Sequence, residues 1–80
     1  MKLWIGNVAF DTTSDELLSL LQKHGGPGFT ELLHVPGDGS RPGVLLTFDN
    51  ANPEQLYGLA YRLNGLYWKH RGLTAHVMLH

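Results

Sequence analysis

The order of hydrophobic patterns along the chain predicts an α/β two-layer sandwich, in which two helices cover one face of a four-stranded antiparallel sheet and leave the other face bare. Three observations predict it. Two apolar stripes at helical spacing, Leu17, Leu20, Leu21 with His24 and Leu56, Leu59, Ala60 with Leu63, each follow a helix-start signal. Four segments of strand character surround them in the order βαββαβ. In the first segment, alternation puts Leu3 and Ile5 on one side and Trp4 on the other, so a core beneath Leu3 and Ile5 leaves Trp4 toward solvent. A large ring on an open sheet face asks for a partner to cover it.

Strand one ends near Asn7, and the loop Val8 to Thr12 leads to Thr13-Ser14-Asp15-Glu16, a capping box in which Thr13 and Glu16 satisfy each other's free amides. The first helix is predicted over Ser14–His24, where Gly25-Gly26-Pro27-Gly28 stops it. Phe29 to Val35 reads as strand two, Pro36 to Pro42 as a hairpin turn, and Gly43 to Phe48 as strand three paired antiparallel with strand two. Asn52 before Pro53 supplies an N-cap and a first-turn proline, which predicts a second helix over Pro53–Asn64, closed by Gly65. Leu66 to Arg71 is a short connection with strand character. Leu73, Ala75 and Val77 alternate inward in a last strand that runs to the terminus. The register of strand two stays open, because Phe29, Glu31, Leu33 and Val35 alternate with Thr30, Leu32 and His34 and both sets hold apolar residues.

Eighty residues make a single domain, expected to span residues 1–80. At that size roughly 60–65% of the unfolded surface is buried, so the core is simple and stability modest. Without cysteine there is neither a disulfide framework nor a thiolate metal site, and no leader or long apolar run is evident, so the expectation is an intracellular, cytoplasmic protein without a membrane span. Six Lys and Arg against seven Asp and Glu give a formal charge of −1, which argues against strong unspecific attraction to a polyanion. His24, His34, His70, His76 and His80 are scattered over different elements without a clustered carboxylate, so no metal or other cofactor is expected. Nor is an enzyme expected. The first loop carries neither a phosphate-cradling arginine nor a Cys-x-x-Cys pair, and no catalytic residue is assigned.

Several segments together resemble the RNA-recognition-motif domains. Leu3-Trp4-Ile5-Gly6-Asn7-Val8 is similar to that family's first-strand hexamer, with an aromatic second and Asn fifth, and Ala9 to Leu17 is similar to its lead into helix one. Leu63-Asn64-Gly65 matches the end of helix two, after which Trp68, Arg71, Leu73 and Ala75 fall where the family has an apolar residue, an arginine and two core residues. The resemblance implies a ferredoxin-like fold with strands one and three central, Leu32 inside, Leu33 and Val35 outside, and binding of single-stranded RNA on the open sheet face.

The departure lies in Arg41-Pro42-Gly43-Val44-Leu45-Leu46-Thr47-Phe48, which stands where the family has its RNA-contacting octamer. Arg41 and Phe48 fit the pattern, while Gly43 and Leu45 replace its two surface aromatics. At ~1–3 kcal/mol per stacked base, two missing platforms forfeit roughly 2–6 kcal/mol unless something compensates. Weak RNA binding is therefore expected, through Trp4 with Lys2, Asn7, Arg41, Leu45, Thr47 and His76. In this reading Trp4 stacks a base, His76 bonds a base edge, and Arg41 meets a phosphate, with Lys69 and Arg71 as lesser candidates. The alternative partner is a protein, or a second copy of the chain, held on a face made by Trp4, Leu33, Val35 and Leu45. Tyr57 and Tyr61, one turn apart and off the leucine stripe, are expected to pack along a helix edge, with an exposed helix-side patch as the alternative, and Trp68 is read as structural.

Overall fold

The computed structural model describes residues 1–36 and 42–78, so Arg41 and the centre of the turn expected over Pro36 to Pro42 lie outside the described residues. In chain order the elements are β1 (Lys2–Gly6), α1 (Ser14–Lys23), β2 (Glu31–Val35), β3 (Gly43–Thr47), α2 (Pro53–Leu63), β4 (Tyr67–Trp68), β5 (Arg71–Gly72) and β6 (Thr74–Met78). The four longer strands form one antiparallel sheet in the order β2-β3-β1-β6, which puts strands one and three in the centre as expected. The two short strands form a separate hairpin in which Tyr67 faces Gly72 and Trp68 faces Arg71. Leu66 to Arg71 is thus more than a connection with strand character. It builds its own small ladder.

Period-two alternation decides which face of the sheet is buried. Leu3 and Ile5 of β1, Val44 and Leu46 of β3, and Ala75 of β6 are buried, and their strand neighbours are not, apart from Gly6 and Gly43. Leu17, Leu20 and Leu21 of α1 and Leu56, Leu59, Ala60 and Leu63 of α2 close over them. The register of β2 is settled by its partner strand, because Leu32 stands opposite buried Leu46 and packs against the core. Leu33, opposite Leu45, then faces outward.

The helix ends follow their local chemistry. Thr13 has extended backbone and accepts from the Glu16 amide through Oγ1 at 3.2 Å, while Glu16 Oε1 accepts from the Thr13 amide at 2.9 Å. At the other end the Gly26 amide donates to Leu21 and the Gly25 amide to Gln22, the paired bonds of a Schellman ending, with Gly25 at φ 78°. That ending stops α1 at Lys23, one residue before the predicted end. Asn52 caps α2 through the Glu54 amide at 2.8 Å. At the far end of α2, Asn64 turns out of the helix and accepts the Ala75 amide at 3.1 Å, tying the end of α2 to the edge strand β6. Thr13→Ala removes one such cap, and thermal unfolding is expected to show a loss of ~0.5–2 kcal/mol.

Glu16 also meets Lys69, whose Nζ lies 2.8 Å from Oε2, so the ion pair fastens the β4–β5 hairpin to α1. The hydrogen bond from Lys69 and, after it, that from the Thr13 amide hold the Glu16 carboxyl below its ordinary pKa. A lowered folded value means this contribution is complete above the ordinary glutamate pKa and is lost as pH falls through the folded one. Melting temperature is therefore expected to drop on acidification below that ordinary value. In Glu16→Gln this part of the pH dependence should be gone.

Candidate nucleic-acid interface

On the open face of the sheet, antiparallel register lines side chains up in rows that cross all four strands. One row runs Leu33, Leu45, Trp4, His76, and the next runs Glu31, Thr47, Lys2, Met78. At ~4.8 Å between strands each row is roughly 14 Å long, and successive rows lie about 7 Å apart. Five of the residues expected to meet RNA, Lys2, Trp4, Leu45, Thr47 and His76, therefore share two neighbouring rows. Leu33 and Val35 stand on the same face, Leu33 at 59% exposure.

The third row, Val35, Gly43, Gly6, Thr74, explains how Trp4 sits. A Cβ at Gly43 would stand 2.5 Å from Trp4 Cη2 and 2.6 Å from Cζ2, and one at Gly6 would stand 3.0 Å from Nε1. Cη2 is the indole atom at the far end from the backbone. To come down to Cβ height over a neighbouring strand, the long axis of the ring must run along the sheet surface. One edge of the indole thus rests over two glycines, and the half-exposed remainder looks outward.

Asn7 is committed elsewhere. Just past β1 its backbone takes the left-handed conformation, φ 64°, which Asn tolerates better than most residues. From there Nδ2 donates to the Gly72 carbonyl at 2.9 Å, and Oδ1 accepts from Arg71 Nη1 at 3.4 Å. These bonds tie the hairpin to the end of β1. Arg71 is half-buried in this contact and Lys69 is paired with Glu16, its Nζ 5.5 Å from the centre of the Trp68 ring. Neither cation stands on the open rows. Among the described residues those rows hold one lysine, Lys2, and one glutamate, Glu31, which is a poor surface for collecting phosphates.

The hairpin turn itself carries strain. Lys69 and His70 have φ of 50° and 66°, the positive values a two-residue turn of this hand requires, without the glycine or asparagine that usually supplies them. Left-handed backbone costs ~1–2 kcal/mol per ordinary residue. The Glu16 ion pair, the contact with Trp68 and the edge-on approach of His70 to the Tyr67 ring at 6.5 Å offset part of it. Between the hairpin and α1 lies a groove of about 510 Å³, lined among others by Ser19, Leu20, Lys23, Leu66 and Trp68. Trp68 packs against the core, as expected, and also forms one wall of this groove.

Tyr57 and Tyr61 do not pack along the edge of α2. They are 52% and 85% exposed, because the two positions fall away from the stripe of Leu56, Leu59 and Leu63 and, among the described residues, no further element covers that side. Phe10, in the loop after β1, is 80% exposed. No group of three His, Asp or Glu among the described residues is placed to hold a metal ion, and no helix among them is long and apolar enough to cross a membrane.

No protein-family model matches the sequence, and no curated protein does. Solved structures do match. The third RNA-recognition-motif domain of Mip6 superposes with a TM-score of 0.77 at 18% identity, over 94% of this chain and 89% of that one. The Rna15 domain with bound RNA (GU) gives 0.73 at 20% identity, over 99% and 83%. The N-terminal RNA-binding domain of the hypothetical protein BAB23448 gives 0.69 at 20%, over 96% and 77%. At these identities the likeness concerns the fold.

Proposed function

We propose that this chain, which has the fold of RNA-recognition-motif domains, is a single-stranded RNA-binding module that works through its open sheet face. The observation that carries the reading is the row Leu33, Leu45, Trp4, His76, with a large aromatic ring, the one such ring on this face among the described residues, at its centre and a half-exposed leucine beside it. Trp4 stacks a base, Leu45 supplies an apolar flank, and His76 and Thr47 offer hydrogen bonds to base edges or sugar. Lys2 and Arg41 meet phosphate oxygens. Asn7 acts through the backbone geometry it sets at the end of β1. The mechanism is binding rather than catalysis, and an intracellular address goes with it.

With one platform and few cations, affinity is expected to be weak, with Kd roughly between 10 µM and 1 mM at low salt. Titration of a labelled mixed-sequence single-stranded RNA, followed by anisotropy at several salt concentrations, tests this. Saturable binding with a shallow salt slope, about −1 for one or two phosphates, is the expected result. If nothing binds at millimolar protein in low salt, the reading is wrong.

A second reading has its own observation. Leu33, half-buried Leu45, Trp4 and 39% exposed Met78 make the open face more aliphatic than RNA stacking alone requires, and such a face suits a partner protein or a second copy of this chain. Sedimentation showing self-association that Leu33→Asp abolishes would favour it. A monomer at high concentration would favour RNA.

A further inference from the structure

The geometry points to Gly43 and Gly6 as positioning residues that lay the Trp4 indole along the sheet, so that the open face offers one two-ring platform for one purine base of a single-stranded RNA. This rests on the RNA-binding reading above and narrows it to a class of base.

At Gly43 the restriction is severe. Any side chain there begins with a Cβ only 2.5 Å and 2.6 Å from two Trp4 ring atoms and 2.7 Å from the Ile5 carbonyl oxygen. An aromatic residue at position 43 and a recumbent indole at position 4 therefore exclude each other. The glycine is the condition for the pose of Trp4 rather than only a platform lost. Gly6 completes the bed under Nε1, where a Cβ would stand 3.0 Å away and would also meet the Thr74 hydroxyl.

The shape of the resulting site follows. The edge of the indole from Nε1 to Cη2 lies over the two glycines and the ring is half-exposed, with Leu45 and His76 as cross-strand neighbours. Those neighbours offer an apolar flank and an imidazole, not a second ring of comparable size, so one base stacks and the next has no platform of its own. Stacking strength grows with ring overlap, and two fused rings cover an indole better than one. A purine is the base that fills the platform.

The test uses the full chain and two labelled RNA pentamers, all-uridine and the same with one central adenosine. Wild type should bind the adenosine oligomer more tightly, by roughly threefold or more. Nuclear Overhauser contacts from Trp4 Hη2 and Hζ2 to the Gly43 α protons should be present without RNA. Trp4→Phe, which keeps a ring but shortens it, should still bind and lose most of the preference. Gly43→Ala, with helix amide shifts unchanged, should lift the ring, erase those contacts and weaken adenosine binding about five- to tenfold.

Binding of both oligomers with equal affinity, or a folded Gly43→Ala protein with undiminished preference, overturns this inference and leaves RNA binding standing. Absence of the Trp4 to Gly43 contacts in wild type overturns it even if the alanine variant does not fold. Failure of either oligomer to bind at millimolar concentration overturns the RNA reading and this inference together.

Discussion

Trp4→Ala should weaken single-stranded RNA binding by ~1–3 kcal/mol, about five- to a hundredfold, and should leave the folded state in place. Both halves of that expectation come from one fact of register. Leu3 and Ile5 are fully buried while Trp4, between them, lies on the opposite face over Gly6 and Gly43. Removing the indole takes away the stacking surface but opens no cavity beneath the helices. Circular dichroism should superimpose on wild type, and binding should be followed on labelled RNA, since Trp68 also contributes to tryptophan fluorescence. A variant that binds normally would place the interface elsewhere on the molecule.

Leu46→Ala should do the reverse. Leu46 is fully buried on the central strand β3, opposite Leu3 on one side and Leu32 on the other, and it packs in the core cluster with the helix leucines. Truncating such a leucine costs ~2–5 kcal/mol, depending on how far the site collapses. An 80-residue domain at ~0.05–0.15 kcal/mol per residue has only about 4–12 kcal/mol in all. The melting temperature should fall by roughly 10–40 °C. Leu45→Ala, one residue away but on the open face, should change stability far less. Equal losses at the two positions would contradict the assignment of faces.

The parts of the fold legible in the sequence are those set by short-range physics. The capping box at Thr13 and Glu16 and the Asn52-Pro53 start mark the helix beginnings to the residue, because a cap is made by side chains three or fewer positions apart. Strand boundaries were softer. Phe29 and Thr30 read as strand but precede β2, although the Thr30 amide already bonds the Thr47 carbonyl at 2.8 Å. Phe48 likewise lies just past β3, buried, with its amide on the Met1 carbonyl.

What periodicity alone does not carry is anything decided by a partner strand. Both faces of Glu31 to Val35 hold apolar residues, so only the pairing of Leu32 with Leu46 selects the inner one. The candidate site divides the same way. Trp4, Leu45, Thr47, Lys2 and His76 were legible because outward positions recur every second residue, and register merely aligned them. The role of Asn7 was not, since it depends on Gly72 and Arg71, more than sixty residues away. Gly43 showed in the sequence only as a missing aromatic. Its meaning comes from the diagonal approach of the Trp4 ring across the sheet.

We place RNA on the open sheet face, with Trp4 at its middle. Backbone amide shifts recorded during titration with single-stranded RNA test it most directly. Shifts concentrated at Lys2, Trp4, Leu33, Leu45, Thr47 and His76, with the outer faces of α1 and α2 still, are the predicted result. Saturating shifts along Tyr57 and Tyr61 or in the groove beside Trp68, with the sheet face unmoved, would contradict it.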